Sequence, residues 1–322
     1  MKSRTFALLL ALVALAAPLG ARAQSYPSKP IRMIVPYPPG NAADILPRLI
    51  GPKVSERLGQ QIVVENRAGA SGQIGLELLT HAAADGYTLG VGQGGNLAVA
   101  PHTYKKIPYD PLKDFVPVVL LATNYLGLVA NLDAPFKSVR EMIDWAKAHP
   151  GKLAYASNGE GSFPHLGFEL LGAMAGFKFT HVPYKGSAQI VTDLMGGQVQ
   201  VAMESFTSTV SQVRAGRLRI LAITNNARDP AQTGAPTVAE TVPGYDMRGW
   251  FGVVAPAGTP RAAIQRLNEE FNRAMQAPEI REKMVASGLI VPNQSPEAFG
   301  ELVRSEYDKF GKLVKDIQFQ PQ

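Results

Sequence analysis

The fold is decided at residues 31–44, which read Ile31-Arg-Met-Ile-Val-Pro-Tyr-Pro-Pro-Gly-Asn-Ala-Ala-Asp44. The apolar run over residues 31–35 predicts a short buried strand, and the prolines and Gly40 that follow predict a sharp turn. The residues after the turn predict the N-terminus of a helix, whose first backbone N–H groups have no partner within the helix. Such a terminus is suited to binding an anion such as a carboxylate.

Residues 1–23 have the pattern of a secretory signal peptide. Lys2 and Arg4 precede an apolar run over residues 6–17, and Ala21-Arg22-Ala23 forms a cleavage signature, so we expect removal after Ala23. Losing this leader lowers the formal charge from +6 to +3, because it carries three basic residues and no acidic ones. A charge of that size does not indicate nucleic-acid binding. No cysteine occurs, which excludes disulfides, a thiol nucleophile and thiolate metal ligands.

The rest of the chain alternates strand-like runs, loops and helix-like runs, which predicts an α/β fold with parallel strands and crossover helices. We expect a helix over residues 44–58 to be kinked or interrupted near Gly51, because the proline after it removes a hydrogen bond. Residues 115–123 and 126–131 read as two strands divided by Asn124-Tyr125. The length beyond the leader suggests two lobes.

A glycine-rich motif at Gly90-Val-Gly-Gln-Gly-Gly95 follows a predicted strand and matches the G-x-G-x-x-G pattern of dinucleotide-binding turns. The next residues, 96–101, are not expected to form the helix that such a site requires, because Pro101 would end it early. An exported protein also has little access to NAD. We therefore interpret the motif as a tight turn that lines a ligand cleft, and we expect no cofactor.

A secreted hydrolase is the main enzymatic alternative. Ser162 and His165 lie three residues apart across a predicted turn, which can bring the two side chains together. The G-x-S-x-G motif of a nucleophile elbow is absent, and no acidic residue is evidently placed to orient the imidazole. The five histidines show no H-x-x-H or H-E-x-x-H spacing. We therefore expect neither catalytic residues nor a metal site.

A second glycine-rich turn, Asn158-Gly-Glu-Gly-Ser-Phe-Pro164, precedes another predicted helix. Its proline suits the first helical turn, so a turn and a helix N-terminus again stand together. Glu204 and Tyr184 follow predicted strands, at the edge where open α/β sheets bind ligands. For Glu204 a helix-capping or surface role is an equal alternative. Asp44 is interpreted as a partner of the helix dipole rather than a ligand contact.

Motifs from the whole chain beyond the leader match one family in order. The match begins with residues 34–40 and Asp44. Its further motifs are Leu58-Gly59-Gln60, Val63-Val-Glu-Asn-Arg67, Asp85-Gly-Tyr-Thr-Leu89, Tyr109-Asp110-Pro111, Pro150-Gly151-Lys152-Leu153, Gly161-Ser162, Pro164-His165-Leu166, His181-Val-Pro-Tyr-Lys-Gly186, Gly196-Gly197-Gln198-Val199, Pro236-Thr-Val-Ala-Glu240, Trp250-Phe251-Gly252 and Ala255-Pro-Ala-Gly-Thr-Pro260. On these residues the chain resembles the Bug family of extracytoplasmic solute receptors, the TctC-like binding proteins of tripartite tricarboxylate transporters.

The resemblance implies an α/β periplasmic binding protein fold of type II, with two lobes that each have a mixed sheet flanked by helices and with two crossover strands at the hinge. Residues 24–123 and 249–322 would form lobe 1, and residues 124–248 lobe 2. It implies a periplasmic receptor, not an enzyme, that closes on a small carboxylate-bearing ligand and delivers it to inner-membrane permease subunits. Mono-, di- and tricarboxylates and amino-acid-like acids remain open, as does an orphan receptor or sensor without a permease. The implied receptor is a monomer that needs no cofactor, metal or nucleic acid.

Two facing loops, residues 38–44 and 158–165, are implied to grip the ligand carboxylate through backbone N–H groups and water. The chain departs from the family pattern where Asn41 replaces a second glycine, where Gln93-Gly-Gly-Asn96 replaces Ser-Ser-Gly-Thr, and where Glu204 replaces a frequent aspartate. These departures bear on which ligand is bound. The predicted ligand-binding residues are Tyr37, Pro39, Gly40, Asn41, Ala42, Gln93, Asn96, Asn158, Gly161, Ser162, His165, Tyr184, Glu204 and Ser205.

Overall fold

The computed structural model describes residues 26–225, 227–228 and 234–321, and the predicted leader lies outside these residues. In the described part the strands are β1 (Ile31–Val35), β2 (Ile62–Asn66), β3 (Thr88–Gln93), β4 (Phe115–Ala130), β5 (Ala154–Ser157), β6 (Thr180–Pro183), β7 (Val201–Ser205), β8 (Arg219–Ile223) and β9 (Arg248–Pro256). The helices there are α1 (Ala42–Leu58), α2 (Gln73–Thr80), α3 (Ala100–Thr103), α4 (Val139–Ala148), α5 (Phe163–Ala175), α6 (Ser187–Met195), α7 (Phe206–Arg214), α8 (Arg261–Met275), α9 (Pro278–Ala286) and α10 (Pro296–Asp316). None of these helices combines the length and the apolar character needed to cross a bilayer.

The strands form one mixed sheet in the order β2-β1-β3-β9-β4-β7-β5-β6, and β8 also pairs with β4. β4 pairs with β9 through residues 115–125 and with β7 and β8 through residues 126–130. The sheet therefore has a first section of β1, β2, β3 and β9 and a second section of β5 to β8, which share β4. The predicted lobe boundaries, 123/124 and 248/249, fall within β4 and at the start of β9, and as boundaries they stay predictions.

β1 is apolar at four of its five positions, and its alternating side chains enter cores on both faces of the sheet. Ile31, Met33 and Val35 share a buried cluster with residues of α1 and α8. Ile34 belongs to the cluster that contains Leu76 of α2. Helices thus cover both faces of this strand, which explains why its sequence is a nearly continuous apolar run.

The prediction of two strands at residues 115–123 and 126–131 is wrong, because β4 runs unbroken through both. Asn124 and Tyr125 continue the strand since they pair with Gly249 and Arg248 of β9. Tyr125 is also almost fully buried. The partner strand comes from more than 120 residues away in the sequence, as the numbering of these pairs shows. The dipeptide Asn124-Tyr125 therefore suggests a break in the strand only when its pairing with β9 is not known.

The structure also differs from two predictions about helices. α1 is not interrupted near Gly51 but continues through the following proline, and the Ser55 hydroxyl donates to the Gly51 carbonyl over 2.8 Å. The alternative, a kink in α1, stays a prediction. The residues after β3 do form helix, as a π-helical turn over Gly95–Val99 that leads into α3. The Tyr109 hydroxyl stabilises that turn by donating to the backbone oxygen of Asn96 over 2.7 Å. Helices α7 and α9 were not predicted from the sequence.

Candidate ligand-binding site

A cavity of about 600 Å³ lies where loops from the two sections of the sheet meet. Its walls come from the carboxyl ends of β1, β3 and β5, the edge at which open α/β sheets bind ligands. The volume is in the range of small-molecule sites. Its lining residues are Tyr37, Ser71, Gln93, Gly95, Val99, Ala100, Thr103, Tyr104, Asn158, Glu160, Gly161, Ser162 and Phe163.

The β1–α1 turn is held by its own hydrogen bonds. Gly40 has a φ of +93°, a conformation that residues with a side chain rarely adopt. Asn41 is the N-cap of α1, and its side-chain oxygen accepts from the Asp44 N–H over 3.1 Å. The Gly40 N–H donates to Asp44 Oδ2 over 3.0 Å. The Gly40 amide is therefore already bonded, and the first-turn amides of Ala42 and Ala43 are the better candidates for an anion.

Asp44 anchors this turn, which is more than the dipole role predicted for it. The residue is 3% exposed, and its carboxylate also accepts from Asn66 Nδ2 and Arg48 Nε, each over 2.8 Å. Burial acts to raise the pKa of Asp44, but the hydrogen bonds from Gly40, Asn66 and Arg48 outweigh it and hold the pKa below its usual value. The ionised carboxylate therefore connects the turn to α1 and to the end of β2.

The β5–α5 loop, residues 158–162, is also tightly bonded within itself. Ser162 caps α5, and its hydroxyl donates to the Gly159 carbonyl over 2.6 Å. The Gly161 N–H donates to Nδ1 of His165 over 2.9 Å. Two of the backbone and side-chain donors predicted to hold a ligand are therefore satisfied inside the protein. The backbone amide of Phe163, in the first turn of α5, has no acceptor within that helix and is a candidate donor to an anion.

His165 lies against a second histidine from β6. The rings of His165 and His181 stack with their centroids 3.8 Å apart, and His181 Nε2 lies 2.7 Å from the Ser157 hydroxyl. Burial and the neighbouring His165 lower the pKa of His181 to about 4, so His181 is neutral near pH 7. The stack therefore connects β6 to α5 and to the end of β5, on either side of the β5–α5 loop.

Ser162 and His165 do not form a nucleophile–base pair. The Ser162 hydroxyl contacts the backbone N–H of His165 at 3.4 Å, while the imidazole Nδ1 accepts from Gly161. The hydrolase alternative therefore lacks the hydrogen bond that would activate the serine. In the parts of the chain that the structure covers, no group of three or more His, Cys, Asp or Glu side chains could hold a metal ion.

Glu204 is the penultimate residue of β7 and has no exposed surface. Its Oε1 accepts from Asn158 Nδ2 over 2.9 Å, and its Oε2 accepts from the Ser208 hydroxyl over 3.2 Å. Burial raises the pKa of Glu204, and hydrogen bonds from Ser187, Ser208, Asn158 and the Ser205 backbone oppose that rise without cancelling it. In this arrangement Glu204 positions Asn158 at the cavity wall, and direct contact between Glu204 and a ligand stays a prediction.

The stability of the protein is expected to depend on pH through Glu204. Since its pKa is raised in the folded state, its stabilising contribution is complete below the ordinary pKa and is lost as the pH rises through the folded pKa. Glu204→Gln keeps an acceptor for Asn158 and removes this titration. The melting temperature of the variant minus that of the wild type should therefore grow as the pH rises above the ordinary pKa of a glutamate, about 4. A difference that does not vary with pH, or the same trend in the exposed-site control Glu77→Gln, would contradict this.

Two tyrosines form a fixed wall of the cavity. The Tyr37 hydroxyl donates to the Ser71 carbonyl over 3.2 Å, and the Tyr104 hydroxyl lies 3.0 Å from the Ser71 hydroxyl. Ser71 itself has a φ of +55°, a strained conformation for a residue with a side chain. Both hydroxyls are thereby engaged at one residue. Tyr37 and Tyr104 offer mainly their rings to the cavity.

The predicted site residues do not all meet in one cavity. Five of them line the cavity of about 600 Å³: Tyr37, Gln93, Asn158, Gly161 and Ser162. Three line a second, smaller cavity of about 290 Å³ beside Leu46 and Met284: Gly40, Ala42 and Ser205. The other six line neither of these two cavities: Pro39, Asn41, Asn96, His165, Tyr184 and Glu204.

Tyr184 has another role in this structure. Its hydroxyl donates to Asp193 Oδ2 over 2.9 Å and thereby ties the end of β6 to α6. Burial, followed by the contact with Asp193, raises the pKa of Tyr184 to about 12. Ligand contact by Tyr184 stays a prediction.

Several lining residues were not predicted from the sequence. Glu160 lies inside the predicted loop 158–165, and Ser71 lies in a glycine-rich segment. Their positions in glycine-rich turns could have indicated a place in the cavity wall. Tyr104 and Thr103 carried no such signal, because only the helical turn after β3 brings them to the cavity.

Comparison with known proteins gives consistent matches over nearly the whole chain. The family model described as "Tripartite tricarboxylate transporter family receptor" matches residues 46–319. The "UPF0065 protein in tcbD-tcbE intergenic region" of Pseudomonas sp. (strain P51) is 40% identical over 299 residues, which cover 92% of this chain and 89% of that protein. Protein BugT of Bordetella pertussis is 37% identical over 309 residues, which cover 95% and 94% of the two chains.

Solved structures agree with these sequence matches. Rpa4515 of R. palustris, solved with adipate, has a TM-score of 0.76 and 34% identity, with 92% of this chain and all 100% of that chain covered. MatC of Rhodopseudomonas palustris, with bound malate, has a TM-score of 0.72 and 31% identity, with 90% and 100% covered. The periplasmic binding protein BugD has a TM-score of 0.72 and 30% identity, with 92% and 100% covered.

These matches confirm three predictions made from the sequence. The mixed α/β sheet has the periplasmic binding protein fold, since structures of that class align over nearly their whole length. The matched family and its solved members are receptors, which confirms that the chain is not an enzyme. With a family model over most of its length and relatives above 30% identity, the chain belongs to the receptor family of tripartite tricarboxylate transporters.

Proposed function

We propose that this receptor captures a small carboxylate-bearing molecule in the cavity of about 600 Å³ and delivers it to an inner-membrane permease. The observation that carries the proposal is the position of the cavity, which is walled by loops from both sections of the sheet. The relatives solved with adipate and with malate support a small carboxylate as the ligand class. The family description supports a transporter as the partner.

The two sections of the sheet act as two lobes in this proposal, with residues 24–123 and 249–322 in one and residues 124–248 in the other. β4 and β9 cross between them and serve as the hinge. Closure brings the β5–α5 loop toward the β1–α1 turn and expels water, which strengthens the hydrogen bonds to the ligand. The chain is exported to the periplasm and its leader is removed after Ala23.

The carboxylate is held by neutral donors rather than by a basic side chain. Among the described residues that line the cavity, none is Lys, Arg or His. First-turn amides of α5, the dipole of that helix and the side-chain amide of Gln93 supply the positive potential instead. Such a site holds one carboxylate without the desolvation cost of burying an ion pair.

A carboxylate ligand should raise the melting temperature of the purified protein without being consumed. At 100 times its Kd a ligand adds about 2.7 kcal/mol to the free energy of unfolding. For a chain of this size that corresponds to a rise of several degrees, at about 1.6 °C per kcal/mol. A panel of mono-, di- and tricarboxylates and amino acids would be screened by thermal shift, and hits titrated by calorimetry.

The same panel of acids also tests whether the protein is a receptor and whether binding requires the carboxylate. Recovery of the bound acid unchanged, as judged by chromatography, supports a receptor. The alcohol or amide analogue of each hit serves as its control, because it keeps the size of the ligand and lacks the carboxylate. If the analogues bind as tightly as the acids, or if no acid binds to protein that has been unfolded and refolded to remove bound ligand, the proposal fails.

A further inference from the structure

We infer that the preferred ligand of this receptor is a zwitterion, which carries a cationic nitrogen in addition to its carboxylate. The inference rests on the proposed function, since it concerns the ligand of the same cavity. It narrows the ligand class from carboxylates in general to amino-acid-like or betaine-like acids.

The charge of the cavity wall is the first observation. Of the thirteen described residues that line the cavity, one is acidic, Glu160, and none is Lys, Arg or His. A dicarboxylate would bring two negative charges to a wall that carries one negative charge and no positive one. Unlike charges attract and like charges repel, and both effects grow as water is excluded from the site. The wall therefore disfavours a second carboxylate and favours a cation in its place.

The aromatic residues of the wall are the second observation. Tyr37 and Tyr104 line the cavity together with Glu160. The two tyrosine hydroxyls are bound at Ser71, so the rings are fixed in place before a ligand arrives. Aromatic rings attract a cationic nitrogen, most strongly where water is excluded. Aromatic rings and a carboxylate in one cavity are the combination that recognises ammonium groups.

The opposite pole of the ligand has its own partners. α5 begins at Phe163, next to the cavity, and its N-terminus carries a partial positive charge. The carboxylate is placed there and the cationic nitrogen toward Glu160 and the tyrosines. The two poles of the ligand thus meet groups of opposite sign.

Matched ligand pairs of equal length test this inference. Succinate would be compared with 4-aminobutyrate, and glutarate with 5-aminovalerate, by titration calorimetry on refolded protein. The amino acid of each pair should bind about tenfold more tightly, as expected for one cation–π contact plus one charge contact. If the dicarboxylates bind as tightly or more tightly, the inference is wrong and the proposed function stands. If no carboxylate of any kind binds, the proposed function itself fails.

A charge-removing variant provides the second test. Glu160→Gln should weaken binding of the aminoalkanoate by about tenfold and leave binding of the dicarboxylate unchanged or tighter. Glu77→Gln removes the same charge from an exposed site on α2 that does not line the cavity, and should alter neither. Equal affinities of the wild type and Glu160→Gln for the aminoalkanoate would overturn the inference. A circular dichroism melt of each variant shows that it is folded.

Discussion

Asp44→Ala is expected to lower the free energy of unfolding by about 2–3 kcal/mol, the loss typical of removing a buried charged group that accepts several hydrogen bonds. The carboxylate is 3% exposed and accepts from Gly40, Asn66 and Arg48. The alanine leaves the Gly40 amide and the Asn66 side chain without their acceptor. Because the β1–α1 turn loses its anchor, ligand affinity should fall together with stability. Urea unfolding and calorimetric titration measure the two effects.

The buried acceptor, rather than the ion pair, should account for most of this loss. Arg48 is about half exposed, so Arg48→Ala should cost less than about 1 kcal/mol. The exposed-site control Asp308→Ala should change the free energy of unfolding by less than about 0.5 kcal/mol. A loss in Arg48→Ala as large as that in Asp44→Ala would show that the ion pair dominates.

The effect of Asp44 should also depend on pH. Its pKa is lowered in the folded state, so its contribution is complete above its ordinary pKa and is lost as the pH falls through the folded pKa. The wild type and Asp44→Ala should therefore approach each other in stability only in acid. A constant difference down to about pH 2 would contradict an ionised Asp44 as the anchor.

Gly75→Ala is expected to destabilise the protein by about 3 kcal/mol, at the upper end of the usual cost of overpacking. A Cβ atom at Gly75 would lie 2.8 Å from Cα of Pro36 and 2.9 Å from the carbonyl oxygen of Arg67. These are backbone atoms, which cannot move aside by changing a rotamer. α2 therefore has to shift away from the turn that begins at Pro36, and chemical denaturation would measure the cost.

Gly300→Ala is the matched control for this change. Gly300 also lies inside a helix, α10, but a Cβ atom there would be 3.4 Å from its nearest neighbour, Cγ of Pro117. The alanine should raise the free energy of unfolding by about 0.5–1 kcal/mol, because it reduces the freedom of the unfolded chain. Equal effects in the two variants would show that the close approach at Gly75 is not decisive.

Much of the fold could be predicted because its signals are local. The apolar run of β1, the prolines and Gly40 after it, and Ser162 before α5 act through neighbours within a few residues, and the structure retains each of them. Predictions failed where the local structure depends on residues that are distant in the sequence. Asn124 and Tyr125 lie in an unbroken strand because Gly249 and Arg248 pair with them.

The site divides in the same way. The sequence by itself determined the family and the two glycine-rich turns. It also placed Tyr37, Gln93, Asn158, Gly161 and Ser162 in turns that follow predicted strands, and these five residues line the cavity. Only the tertiary structure decided how the donors of those turns are used. Gly40 bonds to Asp44 and Gly161 to His165, which depends on side chains reaching back across a folded turn.

The tertiary structure alone also decided which charged and aromatic side chains line the cavity. Tyr104 reaches the cavity through the helical turn after β3, Ser71 joins the two tyrosines from the segment after β2, and Glu160 lines the same cavity from the second section of the sheet. No period or motif connects these positions, since their contact arises from the packing of separate elements. The sequence determined that the chain is an α/β receptor, whereas the charges and rings that a ligand meets were decided by which loops the folded sheet brings together.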